Sequence, residues 1–255
     1  MRLLRSALFN LCFYLLIIVL MLAALPALAR GGEAIESHAR RWARWSIALL
    51  ELICGVKVEF RGIENLPAGA AIIAAKHQST LDVLALILAV KHFTFIYKRE
   101  LDFIPLFGSY LRACGQVSID RSKRAGVLGQ IVAAAKATFA KNRRLVIFPE
   151  GTRRPVGAPP LYKAGVARLA EATGVSCVPV ALNSGLFWPR RQFMRQPGTM
   201  VVEFLPPIPA TLDKDTFMQS LESRIETASD RLIAEALAKD ASLARPSAAA
   251  GLSRS

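Results

Sequence analysis

Two apolar runs separated by seven mostly polar residues constrain this chain most. Ala70-Ala71-Ile72-Ile73-Ala74-Ala75 leads into Lys76-His77-Gln78-Ser79-Thr80-Leu81-Asp82, and Val83-Leu84-Ala85-Leu86-Ile87-Leu88-Ala89-Val90 leads out. The first run is short, apolar throughout and has no polar face, so it reads as a strand covered on both sides. The second reads as a buried helix. A strand buried on both faces that feeds a buried helix belongs to a layered α/β sheet. The pattern recurs downstream. Strand-like runs are expected at Val56–Phe60, Ala71–Ala75, Phe93–Tyr97, Leu145–Phe148, Ser176–Leu182 and Met200–Phe204. Helices are expected at Thr80–Val90, Pro105–Cys114, Ala125–Asn142 and Lys163–Thr173, with a terminal amphipathic helix over Lys214–Lys239. The fold class is therefore α/β, a mostly parallel sheet flanked by helices.

Chemistry concentrates at the ends of two of these strands. His77 follows the first run and Asp82 falls in the first turn of the next helix. An imidazole and a carboxylate so placed are the parts of a general base and its orienting partner. The same residues have a second reading. Ser79-Thr80-Leu81-Asp82 matches a capping box, in which Asp82 only satisfies the helix start. Phe148-Pro149-Glu150-Gly151-Thr152-Arg153-Arg154 emerges from another strand end. There Gly151 admits close backbone approach, Thr152 brings a hydroxyl, and Arg153 brings a planar fork suited to phosphate oxygens. A surface ion pair between Glu150 and Arg153 is the plainer alternative. Two polar clusters at corresponding strand ends favour one shared site, because open α/β sheets bind ligands at the C-terminal ends of their strands. A third cluster, Lys98 to Arg121, mixes Ile104, Pro105, Phe107 and Gly108 with basic residues. Pro179 within Val178-Pro179-Val180 marks an irregular or edge strand.

The N-terminal region brings in the membrane. Ala7–Ala29 has no charged residue and follows Arg2 and Arg5, and it is long enough to cross a hydrocarbon core. Ala27-Leu28-Ala29 is a candidate cleavage site, but the apolar part exceeds a signal core, so an uncleaved anchor is expected. From Glu33 to Gly55, Arg40, Arg41 and Arg44 interleave with Trp42 and Trp45, a pattern that suits the headgroup layer. Gly31-Gly32 offers a turn between the two segments, so a single span and a hairpin dipping into one leaflet both remain open. Residues 1–55 are thus expected as membrane-anchoring helices, 56–239 as the α/β domain and 240–255 as a disordered tail.

The chain carries 33 basic and 19 acidic residues, a net charge of +14, which calls for an anionic partner. Nucleic acid is not expected, since zinc-finger spacing, RNA-binding aromatics and basic-zipper patterns are all missing. The four cysteines lie far apart among apolar residues and have no metal-ligand spacing.

The order of these motifs resembles the glycerophospholipid acyltransferase family, most closely its bacterial 1-acyl-sn-glycerol-3-phosphate acyltransferases. His77 and Asp82 match the family's first motif, and Lys98, Glu100, Leu101, Ile104, Pro105, Gly108, Asp120 and Arg121 its second. Phe148 through Arg153 match the third and Val178 through Val180 the fourth. Lys76 departs from the pattern, standing where the family commonly has Asn. The resemblance implies acyl transfer from a thioester, of acyl carrier protein or coenzyme A, to the sn-2 hydroxyl of a lysophosphatidate, with no metal or other cofactor. It implies His77 as base and Asp82 as its partner. Glu150, Gly151, Thr152, Arg153, Arg121 and Lys98 are then expected at the substrate phosphate, and Ile104, Pro105, Phe107, Gly108 and Pro179 along the acyl chain. The expected location is the inner membrane, with the α/β domain on the cytoplasmic side by its excess of Lys and Arg. Acylation of another lyso-lipid such as a lyso-ornithine lipid, hydrolysis of a lipid or thioester, and a non-catalytic membrane-surface module stay open as alternatives.

Overall fold

The computed structural model describes residues 1–120 and 126–243. Its strands are β1 (Val56–Arg61), β2 (Ala71–Ala75), β3 (Phe93–Lys98), β4 (Val117–Ile119), β5 (Arg144–Ile147), β6 (Cys177–Leu182) and β7 (Gly198–Phe204). Its helices are α1 (Arg2–Ala23), α2 (Leu25–Arg30), α3 (Gly32–Cys54), α4 (Thr80–Ala89), α5 (Phe107–Ala113), α6 (Val127–Ala140), α7 (Gly165–Thr173) and α8 (Lys214–Lys239). The seven strands form one sheet in the order β1-β7-β6-β2-β5-β3-β4. All pairings are parallel except β6 with β7. The mostly parallel sheet flanked by helices is the architecture that the alternating pattern implies. The short β4, which pairs only with β3, was not expected; three residues are too few to show a period.

Strand β2 is buried over its whole length, as its unbroken apolar run requires. Ile73 and Ala75 pack in a cluster with residues of α1, α3 and α4, including Phe9, Leu50 and Leu84. Ile72 and Ala74 pack on the other face with Ala135, Leu169 and Phe217 of α6, α7 and α8. Because β2, β3, β5 and β6 run parallel, their C-terminal ends meet at one edge, and that edge carries the site.

Pro179 sits in register with Ala74 in the sheet interior, so of the two expectations the edge strand is excluded and the irregular position holds. The geometry explains the tolerance. Ser176 and Val180 direct their carbonyls to β2, whereas Cys177 and Pro179 bond to Ile208 and Leu205 on the β7 side. Between Val180↔Phe204 and Cys177↔Ile208, two residues of β6 oppose three of the neighbouring chain. The proline's missing N–H falls on this bulge, where no ladder donor is lost.

The N-terminal segments also differ in detail. The apolar stretch is not one helix over Ala7–Ala29. Pro26 lacks the N–H to continue α1, so α1 ends at Ala23 and a short α2 follows. Gly31, at φ 93°, makes the turn into α3. Helix α1 does not stand free. Phe9 and Phe13 are buried, and both pack edge-on against Trp188. Leu4, Leu8, Leu11, Leu15, Ile18 and Leu22 leave its outer face exposed. The Arg/Trp cluster of α3 divides likewise. Arg41, Arg44 and Trp45 are exposed, but Arg40 turns inward. Its guanidinium donates to the carbonyls of Ile87 (2.7 Å), Leu88 (2.8 Å) and Val90 (3.2 Å). These are orphan carbonyls at the end of α4, and a cation there also opposes the helix dipole. Arg40 is therefore a clamp on α4 and does not belong to a headgroup-facing surface.

Gly108 is packed for a different reason from a lipid slot. A Cβ placed on it would lie 2.3 Å from the Asp102 carbonyl oxygen, so α5 approaches the Arg99–Phe103 turn as closely as glycine permits. Gly108→Ala should lose about 1–3 kcal/mol by overpacking. Urea unfolding would show it as a lower midpoint at constant slope, whereas an unchanged midpoint would mean that the turn moves aside freely.

Candidate active site

The site grows from the start of α4. Ser79 is its N-cap and accepts a hydrogen bond from the Leu81 N–H at 3.1 Å. Asp82, fully buried, closes the box: Oδ2 accepts from the backbone N–H groups of Gln78 (2.7 Å) and Ser79 (2.8 Å). The same oxygen lies 3.0 Å from His77 Nδ1. Oδ1 accepts from the Ser184 hydroxyl, which follows β6. Capping and orienting are therefore one arrangement. Oδ2 already accepts two fixed N–H bonds, so Nδ1 is the donor to it and Nε2 carries the lone pair.

The imidazole is held on its other sides too. It stacks on Phe148 with ring centroids 3.8 Å apart and planes 16° apart. The His77 N–H donates to Glu150 Oε2 at 3.0 Å, and the His77 carbonyl accepts from the Arg154 N–H at 2.8 Å. The side chain keeps 15% of its surface, and no described residue bonds Nε2.

Glu150 does not face a substrate phosphate, as expected from sequence, nor does it pair with Arg153. It is 2% exposed and lies behind the histidine, with Oε1 3.4 Å from Lys76 Nζ. Burial pushes its carboxyl above the ordinary range, while Lys76 and the His77 N–H oppose that shift. A carboxylate here could only repel a phosphate; its place is to anchor the His77 backbone. Lys76 likewise turns from the site. Its ammonium is 2.5 Å from Glu226 Oε1 of α8, which also accepts from Tyr162 Oη at 2.7 Å. Burial, and then Glu226, push the Tyr162 phenol far up.

Cations line the outer side. Arg153 Nη1 donates to Thr80 Oγ1 at 2.8 Å, which sets its guanidinium at the first turn of α4. Gly151 takes φ 67°, and a Cβ there would meet Lys163 Nζ at 2.9 Å. Arg190 Nη1 donates to the Arg153 carbonyl at 3.0 Å and to Thr152 Oγ1 at 3.3 Å. No carboxylate of the described residues lies within 4.0 Å of Arg153, Lys163 or Arg190. Lys98 is exposed at the end of β3, and Arg121 lies outside the described residues.

Ser184, Lys163 and Arg190 were not singled out from sequence. The available signal was the one used elsewhere: Asn183-Ser184-Gly185 is a third polar cluster at the end of a parallel strand. Gly185 N–H donates to Gln78 Oε1 at 2.9 Å, which ties that cluster to the His77 loop.

The residues expected along an acyl chain do not converge. Ile104 is 45% exposed, Pro105 is exposed and Phe107 is half-buried, so this segment is an apolar surface edge and not an enclosed slot. Pro179 is buried in the sheet, on the same face of β6 as Cys177 and Ala181. The segment is held by Asp102, which accepts from Tyr97 Oη (2.6 Å), Ser118 Oγ (2.7 Å) and Arg112 Nη1 (3.1 Å). These bonds, Tyr97 first, hold its carboxyl below the ordinary range. Among the described residues no three His, Cys, Asp or Glu side chains converge as metal ligands.

An imidazole nitrogen with no hydrogen-bond partner among the described residues, near unpaired cations, suits deprotonation of a hydroxyl on an anionic substrate. Comparison with known proteins agrees. A family model described as Acyltransferase matches residues 57–183. The 1-acyl-sn-glycerol-3-phosphate acyltransferase of Pseudomonas aeruginosa is 33% identical over 211 residues, 83% of this chain and 80% of that one. The 1-acyl-sn-glycerol-3-phosphate acyltransferase alpha of Ovis aries is 28% identical over 212 residues, 82% of this chain and 73% of that one. The crystal structure of the 1-acyl-sn-glycerophosphate (LPA) acyltransferase of Thermotoga maritima superposes with a TM-score of 0.78 over 92% of this chain and 98% of that one, at 23% identity, and so bears on the fold. On the family match and the Pseudomonas relative, this chain belongs to the acyltransferase family.

Proposed function

We propose that the chain transfers a fatty acyl group from an acyl thioester to the sn-2 hydroxyl of 1-acyl-sn-glycerol-3-phosphate, giving phosphatidate. The observation that carries this reading is the free Nε2 of an Asp82-held His77 next to cations that have no carboxylate partner. The names of the relatives support the same acceptor. In the reaction Nε2 takes the hydroxyl proton as the oxygen attacks the thioester carbonyl carbon. Asp82 stabilises the imidazolium that forms. The tetrahedral oxyanion collapses, the C–S bond breaks, and the proton on Nε2 passes to the leaving thiolate. No side chain is acylated in this scheme. Ser79 Oγ is engaged as the N-cap, and burial raises the thiols of Cys54, Cys114 and Cys177, which disfavours the thiolate a nucleophile needs. Acyl carrier protein and coenzyme A both fit as donors, and no cofactor enters the scheme.

The acceptor is a membrane lipid, and α1 is long and apolar enough to cross a membrane. We favour the one-leaflet arrangement of α1 on the cytoplasmic side of the inner membrane. In its support, α1 is fastened side-on to the body through Phe9, Phe13, Ser6 and Asn10, which leaves only an outer apolar face for lipid.

The direct test supplies purified protein in mixed micelles with lysophosphatidate and each acyl thioester in turn. Thiol release and phosphatidate should appear in equal amounts. Thiol release without an acceptor would indicate a hydrolase, and turnover only with a lyso-ornithine lipid would overturn the proposed acceptor. Asp82→Asn should lower kcat by roughly 10²–10⁴-fold, since the amide can no longer hold the Nδ1–H tautomer; kcat within threefold of wild type would remove Asp82 from the base. Replacing Leu11 and Leu15 together by Glu should abolish co-sedimentation with anionic vesicles while circular dichroism stays unchanged. Retained sedimentation would exclude the outer face of α1 as the lipid contact.

A further inference from the structure

We infer that Arg190, which lies outside the matched motifs, forms with Arg153 a two-guanidinium clamp that selects a phosphate monoester over singly charged headgroups. The inference rests on the acceptor proposed above and names what reads its headgroup.

Three features converge on Arg190. Its Nη1 reaches the Arg153 carbonyl and the Thr152 hydroxyl, so the guanidinium sits on the loop that carries Arg153. Its Nε is buried without a hydrogen-bond partner. The two arginines are close enough to act on each other. Burial first, then Arg191 and Arg153, lower the Arg190 guanidinium from its usual value. Like charges held together with no carboxylate nearby are unfavourable unless an anion joins them. A phosphate monoester carries close to two negative charges at neutral pH and offers three acceptor oxygens. One guanidinium satisfies a singly charged diester or carboxylate; a pair matches the dianion.

The position of Arg190 is built into the fold. Ser184, six residues earlier, bonds Asp82, and Trp188 packs on Phe9 and Phe13 of α1. The segment from Ser184 to Arg190 is thus pinned at both the base and the membrane helix. The charged end of the lipid would be read between these two fixed points.

The test compares lysophosphatidate with its methyl phosphodiester as acceptors, for wild type, Arg190→Gln and Arg190→Lys. Wild type should prefer the monoester in kcat/KM. In Arg190→Gln the KM for the monoester should rise about tenfold, the scale of one lost charge-assisted bond. The KM for the diester and for the acyl donor should hold, and Arg190→Lys should recover part of the preference. Equal rises for both acceptors would mean that Arg190 only supports the loop, and a rise confined to the acyl donor would place the clamp on the donor; either result overturns the inference. Wild type without turnover of lysophosphatidate would instead overturn the acceptor itself.

Discussion

Asp82 is the point on which the site depends. It is fully buried, and both oxygens are occupied by donors from four residues. Two of the donors are backbone N–H groups at the start of α4, one is the His77 ring, and one is a hydroxyl from the end of β6. A carboxylate that only closed the capping box would need no donor beyond the backbone N–H groups, whereas Asp82 also takes the His77 ring and the Ser184 hydroxyl. Here the cap fixes the rotamer, and the fixed rotamer fixes the imidazole. The demand then passes outward. Helix α4 must stay in place, and Arg40 of α3 clamps its far end. The His77 backbone must stay in place, and Glu150 and the Arg154 N–H hold it on either side.

The segment after β6 joins the candidate site to helix α1. Ser184 touches Asp82, Arg190 touches the Arg153 loop, and Arg195 is buried against Trp188 and Phe9 of α1. The Arg195 guanidinium is 4.4 Å from the Trp188 ring and donates to Asn10 at 2.8 Å. Burial pushes its pKa down to about 10, still well above neutral, so the buried group stays charged, with the ring faces and the Asn10 amide oxygen set against it. A helix with an apolar outer face and an active-site loop thus share one packed interface. In the proposed reading a lipid keeps its tails by this helix while its headgroup meets the cations of the loop.

Much of this was legible in the sequence, because it depends on periodicity. The buried run at Ala71–Ala75 and the apolar α4 needed only hydrophobic pattern, and the two polar clusters followed from their positions after strands. What was illegible depends on which way a side chain turns. Glu150 and Arg153 are three residues apart, yet one lies behind the histidine and the other beside Thr80. Arg40 and Arg41 are adjacent, yet one caps α4 and the other is exposed. Pro179 announced an irregular or edge position, and the choice between them is set by β7, distant in sequence. Arg190 belongs to no periodic element, and only the fold brings it to the Thr152–Arg153 loop.

The central claim is that His77 Nε2 takes the acceptor proton, and its most direct measurement is turnover of His77→Ala with lysophosphatidate and an acyl thioester. Loss of the base should lower kcat by at least about 10²-fold. Vesicle binding should stay close to wild type and the protein should stay folded, because the backbone anchors remain; thermal unfolding should fall modestly with the lost Nδ1–Asp82 bond and Phe148 stacking. Near-normal turnover by a folded, membrane-bound His77→Ala protein would contradict the account and move the base elsewhere.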